Sequence, residues 1–189
     1  MKFLIPISLV AIAIINGCSS DTSGTTITTQ DQGVHFQGRD CLACHNIDLQ
    51  KERNLFIGGT LFKSSSNVKV DDITTTCGGE LIVNFLDNNN NVKYSSKDYK
   101  VATKGNNGKG NLFILDRTNP PIAGNFQIEI TDVNGNTLAK SGVDSHSFSG
   151  ISYDKLKINY DNRYSCNSCH TKGGETLPLF VKQNVNLCK

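Results

Sequence analysis

The sequence predicts a mainly β fold, an antiparallel β-sandwich flanked by two short helical segments. Three observations lead there. Apolar and polar residues alternate strictly through Phe126-Gln127-Ile128-Glu129-Ile130-Thr131 and Lys155-Leu156-Lys157-Ile158-Asn159-Tyr160, the period of a strand with one buried face. Turn-forming clusters recur between such segments at Asp87 to Asn91, Lys104 to Gly108 and Asp132 to Asn136. No long stretch keeps the 3.6-residue period of an amphipathic helix. Of the 189 residues, 37% are hydrophobic and 19% charged, ordinary values for one globular domain. A formal charge of +2 and the absence of Trp give no footprint for nucleic acid. Two small counts carry more: seven Cys, and a single Met that is Met1.

The elements follow in chain order. Lys2 precedes Phe3 to Ile15, an apolar run of signal-peptide length and too short to span a bilayer. Residues 1–17 are therefore read as a signal peptide. Ile15-Asn16-Gly17-Cys18 resembles the lipobox of bacterial lipoproteins, which implies lipidation of Cys18. The alternative is an uncleaved apolar anchor with an incidental Cys. Residues 18–34, rich in Ser, Thr, Asp, Gly and Gln, fit a lipidated tether. Such an anchor attaches the chain to a membrane without a spanning helix. The expected location is the cell envelope, where disulfides persist. The resemblance to lipoproteins implies that Ser19, in place of an Asp retention signal, favours the outer membrane, facing the periplasm or the cell surface.

Residues 35–54 and 161–189 each carry one copy of the same motif, Cys41-Leu42-Ala43-Cys44-His45 and Cys166-Asn167-Ser168-Cys169-His170. C-x-x-C-H is the attachment motif of c-type haem. Two thiols three positions apart on a helical turn reach both vinyl groups of one porphyrin, and the adjacent His then sits beneath the iron. Asp40 and Ser165 are placed to cap these turns. A four-thiolate zinc site or a dithiol redox pair gives no reason for His to follow both Cys pairs. The pattern resembles that of dihaem c-type cytochromes. It implies two covalently attached haem c groups on Cys41, Cys44, Cys166 and Cys169, with His45 and His170 as proximal ligands.

Export removes Met1 and with it the only methionine, so His/Met ligation is closed to this chain. The two other histidines, His35 and His146, are the candidate distal ligands, and either could serve either iron. His35 stands in His35-x-x-Gly38-x-Asp40-Cys41-Leu42-x-Cys44-His45, which resembles segments of bacterial surface and periplasmic multihaem cytochromes. His146 lies in a loop-like stretch. Both haems are expected to be bis-His, low-spin and low-potential. Cys77 and Cys188 remain, and in an oxidising compartment the expectation is a disulfide pinning the tail to mid-chain.

Residues 55–160 supply the sandwich. Leu81, Val83 and Phe85 share one strand face, Tyr99, Val101 and Thr103 another, and Leu112 to Leu115 reads as a buried strand. The stretch from Gly58-Gly59-Thr60-Leu61-Phe62 through Ala123-Gly124-Asn125-Phe126 to Asn134-Gly135-Asn136 is similar to transthyretin-like or Cna B-type modules, which implies an Ig-like or transthyretin-like sandwich. Asp87-x-Asn89-x-Asn91 resembles an EF-hand loop. Val92 stands where that loop needs Gly, and the flanks read as strands, so a hairpin turn is favoured. The function these readings imply is electron relay in the cell envelope, with other cytochromes or a quinol-linked reductase as partners. The rivals are a haem peroxidase or small-oxyanion reductase with one open iron, and a haem redox or gas sensor.

Overall fold

In the computed structural model the described residues are 36–99, 108–143, 145–150, 164–171, 176–183, 186 and 188. Cys18, His35 and the Lys155–Tyr160 alternation lie outside them. The fold is mainly β and sandwich-like, built from antiparallel sheets. β1 (Leu55–Thr60) pairs with β4 (Asn111–Leu115) in one two-stranded sheet. The other sheet runs β3 (Val92–Ser95), β2 (Ile82–Leu86), β5 (Ala123–Thr131) and β6 (Thr137–Lys140), and β7 (His146–Ser149) pairs with the first half of β5. Two short helices complete it, α1 (Cys41–His45) and α2 (Cys166–Cys169).

The alternating segments form the strands expected of them. Val83 and Phe85 are buried on β2, and Phe126 and Ile130 are buried on β5. The register Val83↔Ile130 and Phe85↔Ile128 sets apolar side chains opposite one another across the strand pair. β1 is different: all six of its residues are buried, so no alternation marks it. A strand covered on both faces reads as a continuous apolar run.

Aromatic side chains join the two sheets. Phe56 of β1 lies 5.0 Å from Tyr164, and Phe148 of β7 lies 5.3 Å from both Tyr164 and Phe85. Phe85 and Phe126 meet edge to face at 5.9 Å. Each such pair adds about 0.5–1.5 kcal/mol beyond the area it buries.

Both hairpin turns are built the same way. Asp87 accepts from the Asn89 and Asn91 amides between β2 and β3, at 2.9 Å each. Asp132 accepts from the Asn134 and Asn136 amides between β5 and β6, at 2.9 and 2.8 Å. The carboxylate at 87 is thus occupied by its own backbone, the Asx arrangement of a tight turn, and the hairpin reading stands over the EF-hand.

Three local expectations need correction. His146 opens strand β7 rather than lying in a loop, because its backbone pairs with Phe126. Tyr99 ends a single 3-10 turn, Ser96–Tyr99, and Val101 and Thr103 lie outside the described residues. Ser165 makes no cap to α2; its hydroxyl is turned to Asp40.

Candidate functional site

The first motif folds into one helical turn because Asp40 caps it, its carboxylate accepting from the Leu42 and Ala43 amides at 3.1 and 3.2 Å. The turn is then fastened to β1. Asn46, just past His45, donates to the Leu55 carbonyl at 2.9 Å and accepts the Leu55 amide at 2.8 Å. Leu42 is 1% exposed and packs into the core.

The second motif docks on the same strand. The Gly58 amide donates to the Tyr164 carbonyl at 3.0 Å, which sets Ser165 beside β1 and starts α2 there. The glycines of β1 make room for both motifs. A Cβ at Gly58 would lie 2.9 Å from Cys41 Cβ, and one at Gly59 would lie 2.6 Å from Cys166 Cβ. Real Cβ atoms do not approach so closely, so any side chain here would displace a motif cysteine. Consecutive strand residues face opposite ways, and the first cysteines of the two motifs therefore abut β1 from opposite sides.

A buried polar clasp joins the motifs round that strand. Asn167, 2% exposed, accepts the Thr60 amide at 3.0 Å and donates to the Arg39 carbonyl at 2.7 Å. Its amide also reaches the Thr60 hydroxyl at 3.1 Å, and that hydroxyl donates to Asn111 at 2.7 Å. The Ser165 hydroxyl donates to Asp40, the cap of the first motif. Buried groups satisfied this fully specify one arrangement and are costly to disturb.

The histidines of both motifs are held alike. His45 Nδ1 lies 2.8 Å from the Arg53 carbonyl, and His170 Nδ1 lies 2.8 Å from the Leu177 carbonyl. A carbonyl only accepts, so each Nδ1 carries the proton and each Nε2 carries the lone pair. That tautomer, held on a backbone carbonyl, is the usual support of a metal-ligating imidazole. Burial pushes the His45 pKa down, against the bond to Arg53, which favours the neutral ligating form.

His146 has the same tautomer by a longer route. His146 Nδ1 lies 2.7 Å from Ser145 Oγ, Ser145 donates to Ser141 at 2.7 Å, and Ser141 donates to the Gly142 carbonyl at 3.1 Å. With both hydroxyl protons directed toward that carbonyl, Nδ1 of His146 is the donor at the head of the chain. The His146 and His170 rings have centroids 6.2 Å apart and planes within 25°. They line a cavity of about 330 Å³ between the sheets, together with Cys166, Cys169 and apolar residues such as Ile57 and Phe148.

Burial holds the Cys41 thiol up at about 12, with the nearby Asp40 adding to it, and burial holds Cys166 up at about 12, with Cys41 adding. Reactive dithiols have lowered thiol pKa values, so this environment argues against a dithiol redox pair. Cys41, Cys166 and Cys169 are free thiols; Cys44 is disulfide-bonded. Cys77 and Cys188, the pair expected to bridge, stand at disulfide distance, their Cα atoms 4.7 Å apart. Among the described residues, no three His, Cys, Asp or Glu side chains gather as a metal cage.

The structure thus sets both motifs against β1 and brings Cys166, Cys169, His170 and His146 around one cavity, which Cys41, Cys44 and His45 do not line, while His35 and Cys18 lie outside the described residues. Sequence reasoning missed Gly58, Gly59 and Asn167. A Gly-Gly pair inside an apolar run was the readable signal for the first two, since glycine in a strand marks close approach by another backbone or a ligand. Family models, curated proteins and solved structures offer no match to this chain.

Proposed function

We propose that the chain is a dihaem c-type cytochrome that relays single electrons between redox partners in the cell envelope, tethered there through a lipid on Cys18. One observation carries this reading: each of the two C-x-x-C-H turns is followed by an imidazole whose Nδ1 is held on a backbone carbonyl. Zinc held by four thiolates, or a dithiol pair, has no use for that second feature at both motifs. The haems would supply one-electron storage at a potential set by ligand, charge and burial. The chain's own residues would do the rest. Cys41, Cys44, Cys166 and Cys169 would anchor the porphyrin edges, His45 and His170 would present Nε2 from one side, and the sandwich would shield the apolar faces. A thioether at Cys44 and the disulfide it holds exclude one another, so haem attachment there would follow two-electron reduction of that disulfide by an external dithiol. Partners, other cytochromes or a quinol-linked reductase, would meet the exposed edges in brief contacts.

The test is covalent haem. The exported protein, made in cells that attach haem c, should keep two haems through denaturing electrophoresis and intact mass analysis. Replacing both cysteines of either motif by Ala should leave one. A chain that carries none overturns the reading. A high-spin component in the wild-type spectrum, with CO bound on reduction, would move the assignment to a peroxidase or oxyanion reductase.

A further inference from the structure

We propose that the cavity between the two sheets seats the porphyrin attached at Cys166 and Cys169, with His146 as the axial partner of His170. Lys140 and Lys182 are the cations that face its propionates. The inference rests on the dihaem reading above and adds what that reading leaves open, which histidine belongs to which iron and how the ring is turned.

Three observations converge. The first is the separation of the rings. Two imidazoles joined by an N–H···N bond of about 2.9 Å have centroids roughly 5 Å apart. Two imidazoles bound to one metal from opposite sides, with metal–nitrogen bonds of about 2.0–2.1 Å, have centroids roughly 6.3 Å apart. His146 and His170 stand at 6.2 Å, with their planes within 25°. The second is the proton inventory. Carbonyl-terminated bonds place the proton of both rings on Nδ1, so neither Nε2 can donate to the other. A neutral imidazole protonated at Nδ1 is one that binds a Lewis acid through Nε2.

The third is the lining. The cavity wall is apolar along Ile57, Leu112, Ile128 and Phe148, and the thiols of Cys166 and Cys169 stand at one side. Among the described residues, its charged lining residues are Lys140 and Lys182. Lys140 Nζ donates to Asn90 at 2.9 Å and Lys182 Nζ lies 5.8 Å from the Phe180 ring, so neither is committed to a carboxylate by these contacts. A flat apolar group carrying two carboxylates fits a slot with apolar walls and two cations.

The experiment uses the holo-protein and reads spectra and potentials. Wild type should show two low-spin haems. In His146→Ala the haem count should stay at two, and half of the haem should become high-spin and bind CO after reduction. In His146→Met both haems should stay low-spin, one should gain a methionine-to-iron charge-transfer band, and the potential of that haem should rise. A chain lacking Cys166 and Cys169 keeps only the first haem, and its spectrum should be indifferent to His146→Ala. Lys140→Gln with Lys182→Gln should lower the potential of the second haem, since lost positive charge disfavours its reduced form.

The pairing is overturned if both haems stay low-spin in His146→Ala with no change in potential, or if the first haem is the one that responds. Should His146→Ala fail to fold, an unchanged spectrum and potential in His146→Met overturns it equally. In either case two haems in the wild type leave the dihaem reading standing. A wild type without covalent haem removes both.

Discussion

Gly59 is the residue on which the second motif turns. A methyl group there would meet Cys166 Cβ at 2.6 Å and its Sγ at 2.9 Å. Neither atom is the free end of a long side chain, so α2 itself would have to move. Overpacking of this kind costs about 1–3 kcal/mol. Gly59→Ala should therefore lower the unfolding free energy by that amount and reduce haem attachment at Cys166 and Cys169, seen as a one-haem mass. Gly142→Ala, where no atom lies within 4 Å of the added carbon, is the matched control and should stay within ~0.5 kcal/mol of wild type. Equal behaviour of the two variants would remove the packing role assigned to Gly59. The histidines were plain from spacing, because C-x-x-C-H is a local pattern. The glycines and Asn167 were not, because their roles arise from contacts between segments far apart in the chain. Asn167 reaches Thr60 across 107 positions.

At the scale of elements, the tail after α2 is a strap. The Phe62 amide donates to Leu179, the Val181 amide to Phe62 and the Lys182 amide to Leu138, at 2.8, 2.9 and 2.9 Å. Leu177, in the same segment, supplies the carbonyl that orients His170. The Cys77–Cys188 disulfide closes the strap over a sequence separation of 111. On the chain-entropy model a loop of about 100 residues is worth roughly 4–5 kcal/mol. Cys188→Ala should lose about 3–5 kcal/mol in guanidinium unfolding, with a larger m-value as the unfolded chain expands. An unchanged midpoint would mean that the strap is held by its backbone bonds alone. The hairpins give a pH signature. Bonds from the Asn91 amide lower the Asp87 pKa. Burial opposes the same effect at Asp132, where Asn136 prevails and the pKa is lowered too. A carboxylate with a depressed folded pKa stabilises the fold above its ordinary pKa of about 3.9, and the gain is lost as pH falls through the folded value. The melting temperature of the protein should fall below about pH 4, and the fall should be shallower in Asp87→Asn with Asp132→Asn. Identical profiles would show that these turns do not govern acid stability. The strands with one face against the core, β2 and β5, were legible because alternation is a local signal. β1 was not, since both its faces are covered and its glycines lower strand propensity, and β7 was hidden by a polar sequence that only pairing with β5 makes a strand.

In the whole molecule, two motifs at opposite ends of the sequence share one strand. The Ser165–Asp40 bond and the Asn167 bond to the Arg39 carbonyl put residues of one motif in direct contact with residues flanking the other. The sequence placed the motifs on either side of a β domain and left their approach open, because it depends on β1 accepting both. If both carry haem, the two irons feel one another. For an illustrative separation of ~12 Å at an effective dielectric constant of ~20, two unit charges would interact by about 1.4 kcal/mol, which for a one-electron couple is ~60 mV. A positive neighbour raises the potential of an iron, and its reduction lowers it again. The equilibrium titration of the two-haem protein should therefore spread over a wider range than two independent one-electron waves. In Cys41→Ala with Cys44→Ala, the remaining haem should titrate as a single one-electron wave with a midpoint shifted by tens of millivolts. Loosening the clasp with Asn167→Ala, at a cost of about 1–3 kcal/mol for the groups left unpaired, should narrow the spread without changing the haem count. If the midpoint of the second haem is the same with and without the first, the haems do not sense each other and the clasp serves stability alone.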